Sequence, residues 1–182
     1  MRTHAQRTTS CCFAALRQLR QIRRLVSTST FITLTVALVN QQLDYGNGTL
    51  VGIPTYLVRR MQSALNTAAR LIFNLRHSDH ITDALMSLHW LRVSERIDYK
   101  IAVLTYRVLH GSAPQYLGPL TSVVDLPSRR ALWSAVTNRL VSPSVRLSTV
   151  DSRAFPVAAP GSGTLYQSTS SRQQHSSPSR NT

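Results

Sequence analysis

Residues 80–117 read HITDALMSLHWLRVSERIDYKIAVLTYRVLHGSAPQYL, and this stretch decides the fold. Its second half carries Ile97, Ile101, Leu104 and Val108 at i, i+4, i+7 and i+11, which stacks their side chains on one helical face. Ser94 is a residue type that caps a helix start by accepting from a free backbone N–H. Glu95 and Asp98 put negative charge in the first turn, against the positive end of the helix. Gly111 supplies a left-handed exit, and Pro114 blocks continuation. Trp90 and Tyr106 add apolar area for a neighbouring element to cover. The stretch predicts a packing unit, and it contains no arrangement that performs chemistry.

Outward from this unit the helical pattern recurs. Thr55, after Pro54, is a candidate cap for a long helix to about Leu75. Leu57, Met61, Leu65, Ala68 and Ile72 form its buried face, with Arg59, Ser63, Asn66 and Arg70 opposite. The small Ala64, Ala68 and Ala69 allow a second helix to approach closely. Residues 29–43, STFITLTVALVNQQL, are apolar and β-branched, and their periodicity does not separate helix from strand. From Cys12 to Val26 the pattern is helical again: Phe13, Leu16 and Leu19 make one stripe, and Arg17, Arg20 and Arg24 another at i, i+3 and i+7. Residues 1–11 are polar and read as a loose N-terminus.

The charge balance is one-sided, with 21 Lys+Arg against 7 Asp+Glu and a formal net charge of +14 over 182 residues. Lys100 is the only lysine, and no acidic residue precedes Asp44. Such a chain attracts a polyanion, because each neutralised phosphate releases condensed counterions. Arginine suits phosphate through its planar fork of donors. A hydrophobic content of 42% supports a small core in one modest domain with tails. Cys11 and Cys12, adjacent and the only two, build neither a disulfide framework nor a zinc site, and a reducing compartment is the default. The most apolar run, Phe31 to Val39, is far below the roughly 20 residues of a membrane span. The Arg-, Ser- and Thr-rich start with one amphipathic helix is also the composition of a mitochondrial presequence.

The wording of residues 80–117 is more specific than their periodicity. They resemble the C-terminal segment of LINE-type (non-LTR) retrotransposon reverse transcriptases, whose line runs close to H-I-T-x-x-L-x-x-L-H-W-L-P-V-x-x-R-I-x-[FY]-K-I-x-x-L-x-Y-[KR]-x-L-H-G-x-A-P-x-Y-L. His80, Ile81, Thr82, Leu88, His89, Trp90, Leu91, Arg96, Ile97, Tyr99, Lys100, Tyr106, His110, Gly111, Pro114 and Tyr116 are among the matching residues, and Arg92 stands in place of the usual proline. LRQLRQIRRLVST, LDYGNGTLVGIP and TYLVRRMQSALNTAARLIFNLR resemble further lines of the same region, as do Ser128–Ser134 and Asp151–Pro160. Gly46, Gly48 and Val51 depart from the family's cysteine, serine and tyrosine, and the two glycines loosen that connection. The resemblance covers roughly residues 12–160 and favours a helix for residues 29–43.

What the resemblance implies is a C-terminal piece of such an enzyme, from beyond the polymerase palm: helical, thumb-like or accessory, holding template–primer or element RNA through arginines. The expected fold is all-α, a small basic bundle of about four to five helices with an irregular C-terminal third. Its parts are a loose segment 1–11, a helical domain 12–124, an irregular segment 125–160 and a disordered tail 161–182. The candidate nucleic-acid contacts are Arg17, Arg20, Arg23, Arg24, Arg59, Arg60 and Arg70. The expected partners are RNA or DNA and the missing polymerase core, with no small-molecule substrate, membrane or cofactor. Nuclear or cytoplasmic residence is the expectation, and mitochondrial the alternative.

No catalytic residue is expected. Asp44–Tyr45 brings one carboxylate, whereas a polymerase site needs paired carboxylates around two metals, so it reads as a turn. His77, Asp79, His80 and Asp83 imitate a metal set but straddle a helix start, where Asp and Thr are ordinary caps. His89 and His110 have no nucleophile or orienting group beside them.

After Pro160 the family continues R-L-W-N-S-L-P, whereas this chain reads GSGTLYQ and then a Ser/Gln/Arg-rich tail of low complexity. Codons GGC TCT GGA ACT CTC TAC CAG, preceded by a C, become CGG CTC TGG AAC TCT CTA CCA when shifted by one nucleotide, which reads R-L-W-N-S-L-P. Residues 161–182 are therefore expected to be translated out of frame. The coding DNA checks this: codons that cannot give that peptide in the shifted frame would remove the idea.

Overall fold

Helix α4, Thr55–Phe73, is the element around which the first part of the chain packs. In the computed structural model, which describes residues 2–118, 120–121, 140–144 and 154–160, it follows α1 (Arg2–Ile22), α2 (Thr28–Thr35), a π turn (Val36–Asn40) and α3 (Gln41–Asp44), and precedes α5 (Thr82–Ser87) and α6 (Val93–Leu109). α1, α2, the π turn and α5 all pack on α4. Leu57, Met61, Leu65, Ala68 and Ile72 are buried as their spacing predicts, and Ala64, Ala68 and Ala69 lose all exposure. With so little side chain there, the neighbouring helices come close. Leu16, Leu19, Phe31, Val39 and Leu43 complete the core. Truncating a residue such as Leu65 to alanine costs about 2–5 kcal/mol in a site of this kind. Apart from a single bridging residue at Leu140, the described residues hold no β structure, so the protein is all-α.

Six α-helices stand among the described residues, rather than four or five. The extra boundary comes from the π turn. Phe31, Thr35, Val39 and Leu43 are all buried, at steps of four residues. Each such step outruns the 3.6-residue turn by ~40°, so the stripe would drift off the core. The wider turn, closed by Gln41 N–H donating to the Val36 carbonyl, takes back part of that drift.

The N-terminal segment corrects the sequence reading. Residues 2–11 are helical and belong to α1, with Ala5 and Thr9 buried. The other end corrects it too: α1 stops at Ile22, and Arg23, Arg24 and Leu25 form a turn in which Leu25 N–H donates to the Ile22 carbonyl at 2.9 Å.

The caps also differ from expectation. Pro54, not Thr55, precedes the first turn of α4, and no side chain caps it. α6 begins one residue before Ser94. Its Val93 N–H donates to Gln62 Oε1 of α4 at 2.8 Å, and its Arg92 N–H donates to Glu95 Oε2 at 2.8 Å. Three helices end in the same way. Asn74 (φ 53°), His89 (φ 54°) and Gly111 (φ 65°) take left-handed backbone. The next N–H reaches back to a carbonyl one turn inside: Leu75 to Arg70, Trp90 to Leu85, and Ser112 to Arg107. Gly46 (φ 72°) takes left-handed backbone where the chain leaves α3.

The chain divides into two compact units, Met1–Ile97 and Asp98–Thr182, with the division within α6. In the second unit Ile101 and Thr105 are buried, and Val141 N–H donates to the Thr121 carbonyl at 2.8 Å. Residues 155–160 are helical rather than irregular, and Ala159 is fully buried. Ser128–Ser134 and the tail 161–182 lie outside the described residues.

Candidate nucleic-acid interface

The seven arginines singled out by the sequence do not act alike. Arg17 and Arg20 are exposed on α1, and Arg24 is exposed in the turn beyond it. Arg59 and Arg60 are exposed near the start of α4, whose first turn carries no acidic residue. The positive end of the helix macrodipole adds to their charge. Arg70 is half-buried, and its Nε is enclosed without a hydrogen-bond partner among the described residues.

Arg23 is committed to the fold. Its Nε donates to the Leu71 carbonyl at 3.3 Å and its Nη2 to the Ile72 carbonyl at 3.0 Å, while its Cζ lies 4.8 Å above the Phe31 ring. The Leu71 and Ile72 carbonyls are among the last four of α4, which have no acceptor role left inside the helix. Arg23 therefore staples the end of α1 to the end of α4. Two of its donors are thus engaged within the fold.

Arg2 joins the exposed group and was missed because residues 1–11 read as loose. Arg2 and Arg20 stand 18 positions apart on one helix, which is about five turns, so they project from the same flank ~27 Å apart. Arg7 is exposed on α1 as well. The helical spacing of Arg2 from Arg20 was the available signal.

Little negative charge opposes this surface. The first 43 residues hold six arginines and no acid. The first carboxylate, Asp44, accepts from Arg96 Nη1 at 2.7 Å and from Asn47 Nδ2 at 3.0 Å, and Arg96–Asp44 is the one ion pair among the described residues. Arg96 is buried, and its Nε also donates to the Leu91 carbonyl at 2.8 Å. That pair ties the turn after α3 to the start of α6.

Asp79 Oδ2 accepts from Arg76 N–H at 2.7 Å, closing the turn before α5. Among the described residues no three His, Cys, Asp or Glu side chains could hold a metal ion. His89 ends α5, and the His110 ring stacks on Tyr106 with centroids 3.9 Å apart. Burial raises the Cys12 thiol from 9.0 to about 11, with Cys11 beside it adding to the shift, and its Sγ lies 3.8 Å from the Val39 carbonyl. It is an inert core thiol. No helix among the described residues is long and apolar enough to cross a membrane.

The geometry therefore defines a small basic helical protein with an open arginine surface on α1 and at the start of α4. No family model, curated protein or solved structure matches the chain.

Proposed function

We propose that this chain is a non-catalytic piece of a retrotransposon-derived reverse transcriptase, from the region following the polymerase palm, and that its residual role is to hold RNA or DNA by the phosphate backbone. The ordered likeness of residues 80–117 to the LINE-type line supports the origin. One observation carries the binding role: Arg2, Arg17 and Arg20 along α1, and Arg24 in the turn beyond it, stand exposed in a stretch with no carboxylate before Asp44. Guanidinium groups without acidic neighbours gain from phosphate by charge-assisted hydrogen bonds and by counterion release. Contacts of this kind position a nucleic acid and do not read its sequence.

The test is affinity for labelled RNA and DNA as a function of salt. Three phosphate contacts contribute about 2.7 to the log–log slope on duplex DNA and about 2.1 on a single strand. The triple variant Arg17→Ala, Arg20→Ala, Arg24→Ala should flatten the slope by up to that amount and leave the melt unchanged. A protein that melts cooperatively yet binds neither nucleic acid at low salt would end the reading. A second reading, a translated relic without function, is favoured if the coding DNA restores the family's line after Pro160 on a one-nucleotide shift. A survey of transcripts and peptides separates the two, and a reverse-transcriptase reading frame immediately upstream in the genome would establish the origin.

A further inference from the structure

The outer face of α6 is built in a way that a solvated helix is not. Tyr99, Val103, Tyr106 and His110 follow one another at i, i+4, i+7 and i+11, on the face opposite the buried Ile101 and Thr105. A helix that packs only one face normally carries charges on the other. Here Tyr99 is 64% exposed and Tyr106 is 44% exposed. The His110 ring lies 25° from parallel to Tyr106 at a centroid distance of 3.9 Å, and its Nδ1 is 2.8 Å from the Tyr106 carbonyl, so the two rings form one stack. Tyr99, Ala102, Val103, Tyr106, Arg107 and Ser112 line an open hollow of ≈ 470 Å³, within the range of ligand sites, about 300–1,000 Å³. At 3.6 residues per turn, Lys100 and Arg107 project from the same flank of the aromatic row, two turns apart.

Aromatic rings alternating with a line of cations is the chemistry of an unpaired nucleic-acid strand, whose bases offer π-faces and whose backbone offers phosphates. A paired duplex hides its base faces and cannot use the rings. We infer that the outer face of α6 is a stacking platform for single-stranded nucleic acid, with Tyr99 and the Tyr106–His110 pair receiving bases and Arg107 and Lys100 receiving phosphates. The inference rests on the nucleic-acid reading above and deepens it, because it assigns strand preference to a surface separate in sequence from the α1 arginines. An apolar protein partner is the competing occupant. The net charge of +14 and the two flanking cations favour the polyanion.

The experiment uses the full chain with labelled oligouridylate and with a duplex of the same length. The single strand should bind more tightly than the duplex. Tyr99→Ala should weaken single-strand binding about tenfold, or ~1.4 kcal/mol, and leave the duplex unchanged. Tyr99→Phe should restore the affinity, since the ring and not the hydroxyl does the stacking. Photocrosslinking with a 4-thiouridine oligonucleotide should mark the peptide containing Tyr99 or Tyr106. If Tyr99→Ala leaves strand preference intact while the α1 triple variant abolishes binding, the platform is wrong and the arginine surface stands. If Tyr99→Ala changes self-association in sedimentation and not oligonucleotide affinity, the face is a protein contact and the inference falls. If neither nucleic acid binds, both readings fall together.

Discussion

Replacing Arg23 by alanine should unfold the protein more readily than replacing any other candidate arginine. The substitution leaves the Leu71 and Ile72 carbonyls at the end of α4 without their donors and removes the cation over Phe31. A hydrogen bond from a charged donor contributes about 1.5–3 kcal/mol, and a cation–π contact at a partly exposed site about 0.5–1 kcal/mol. Arg23 is half-buried and water can replace part of each contact, so the expected loss is about 2–3 kcal/mol rather than the full sum. For a unit the size of Met1–Ile97, each kcal/mol moves the melting temperature by about 4–8 °C. The drop should therefore exceed about 8 °C. Arg23→Lys should recover only part of it, because an ammonium cannot present two donors in one plane.

Urea unfolding followed by circular dichroism measures the loss directly, alongside the Arg17, Arg20, Arg24 triple alanine variant. Exposed substitutions of that kind fall within about 0.5 kcal/mol of the parent. At a temperature where both are folded, Arg23→Ala should keep the parent's salt slope for nucleic acid and the triple variant should lose it. This division of roles among the arginines is refuted if Arg23→Ala is as stable as the parent, or if the triple variant is destabilised as much.

Three further outcomes follow from the geometry. Gln62→Ala should cost about 1 kcal/mol, because the Val93 N–H loses its acceptor at the start of α6; Gln62→Glu should retain most of that stability by keeping the oxygen and adding negative charge at a helix N-terminus. His89→Gly should stabilise the protein by about 0.5–1 kcal/mol in thermal melts, since left-handed backbone at φ 54° strains any side chain but not glycine. A thiol reagent should label exposed Cys11 and spare Cys12 in the native state; because the folded protein holds the Cys12 proton up to about 11 and the unfolded chain only to 9.0, stability should decline as pH rises between those values, and less so in Cys12→Ala.

The parts of the fold written locally were legible, and the parts written across the chain were not. α4 announces itself because large apolar residues mark its buried face. α1 does not, because its first two turns bury Ala5 and Thr9, which carry no hydropathic signal. Thr9 hides in the core by donating its hydroxyl to the Ala5 carbonyl at 2.7 Å, and Thr35 and Thr105 do the same to Phe31 and Ile101 at 2.8 Å. A threonine so satisfied packs like a valine while reading as polar. The cap of α6 was invisible for another reason: Gln62 lies 31 residues from Val93.

The same distinction governs the arginines, and it bears on how far charge alone can identify a binding surface. Arg20, in the last turn of α1, and Arg23, just beyond it, are close in sequence and carry the same group. One is exposed, while the other meets carbonyls 48 and 49 residues away. Arg96 is removed from the ligand-facing set by Asp44, 52 residues earlier. A guanidinium with five fixed donors is as well suited to orphaned helix carbonyls as to phosphate. Its role is decided by what the folded chain places within its reach: Arg23 meets the last carbonyls of α4, while Arg20 faces solvent. The surplus positive charge that remains exposed, on α1 and at the start of α4, is therefore what the fold did not need.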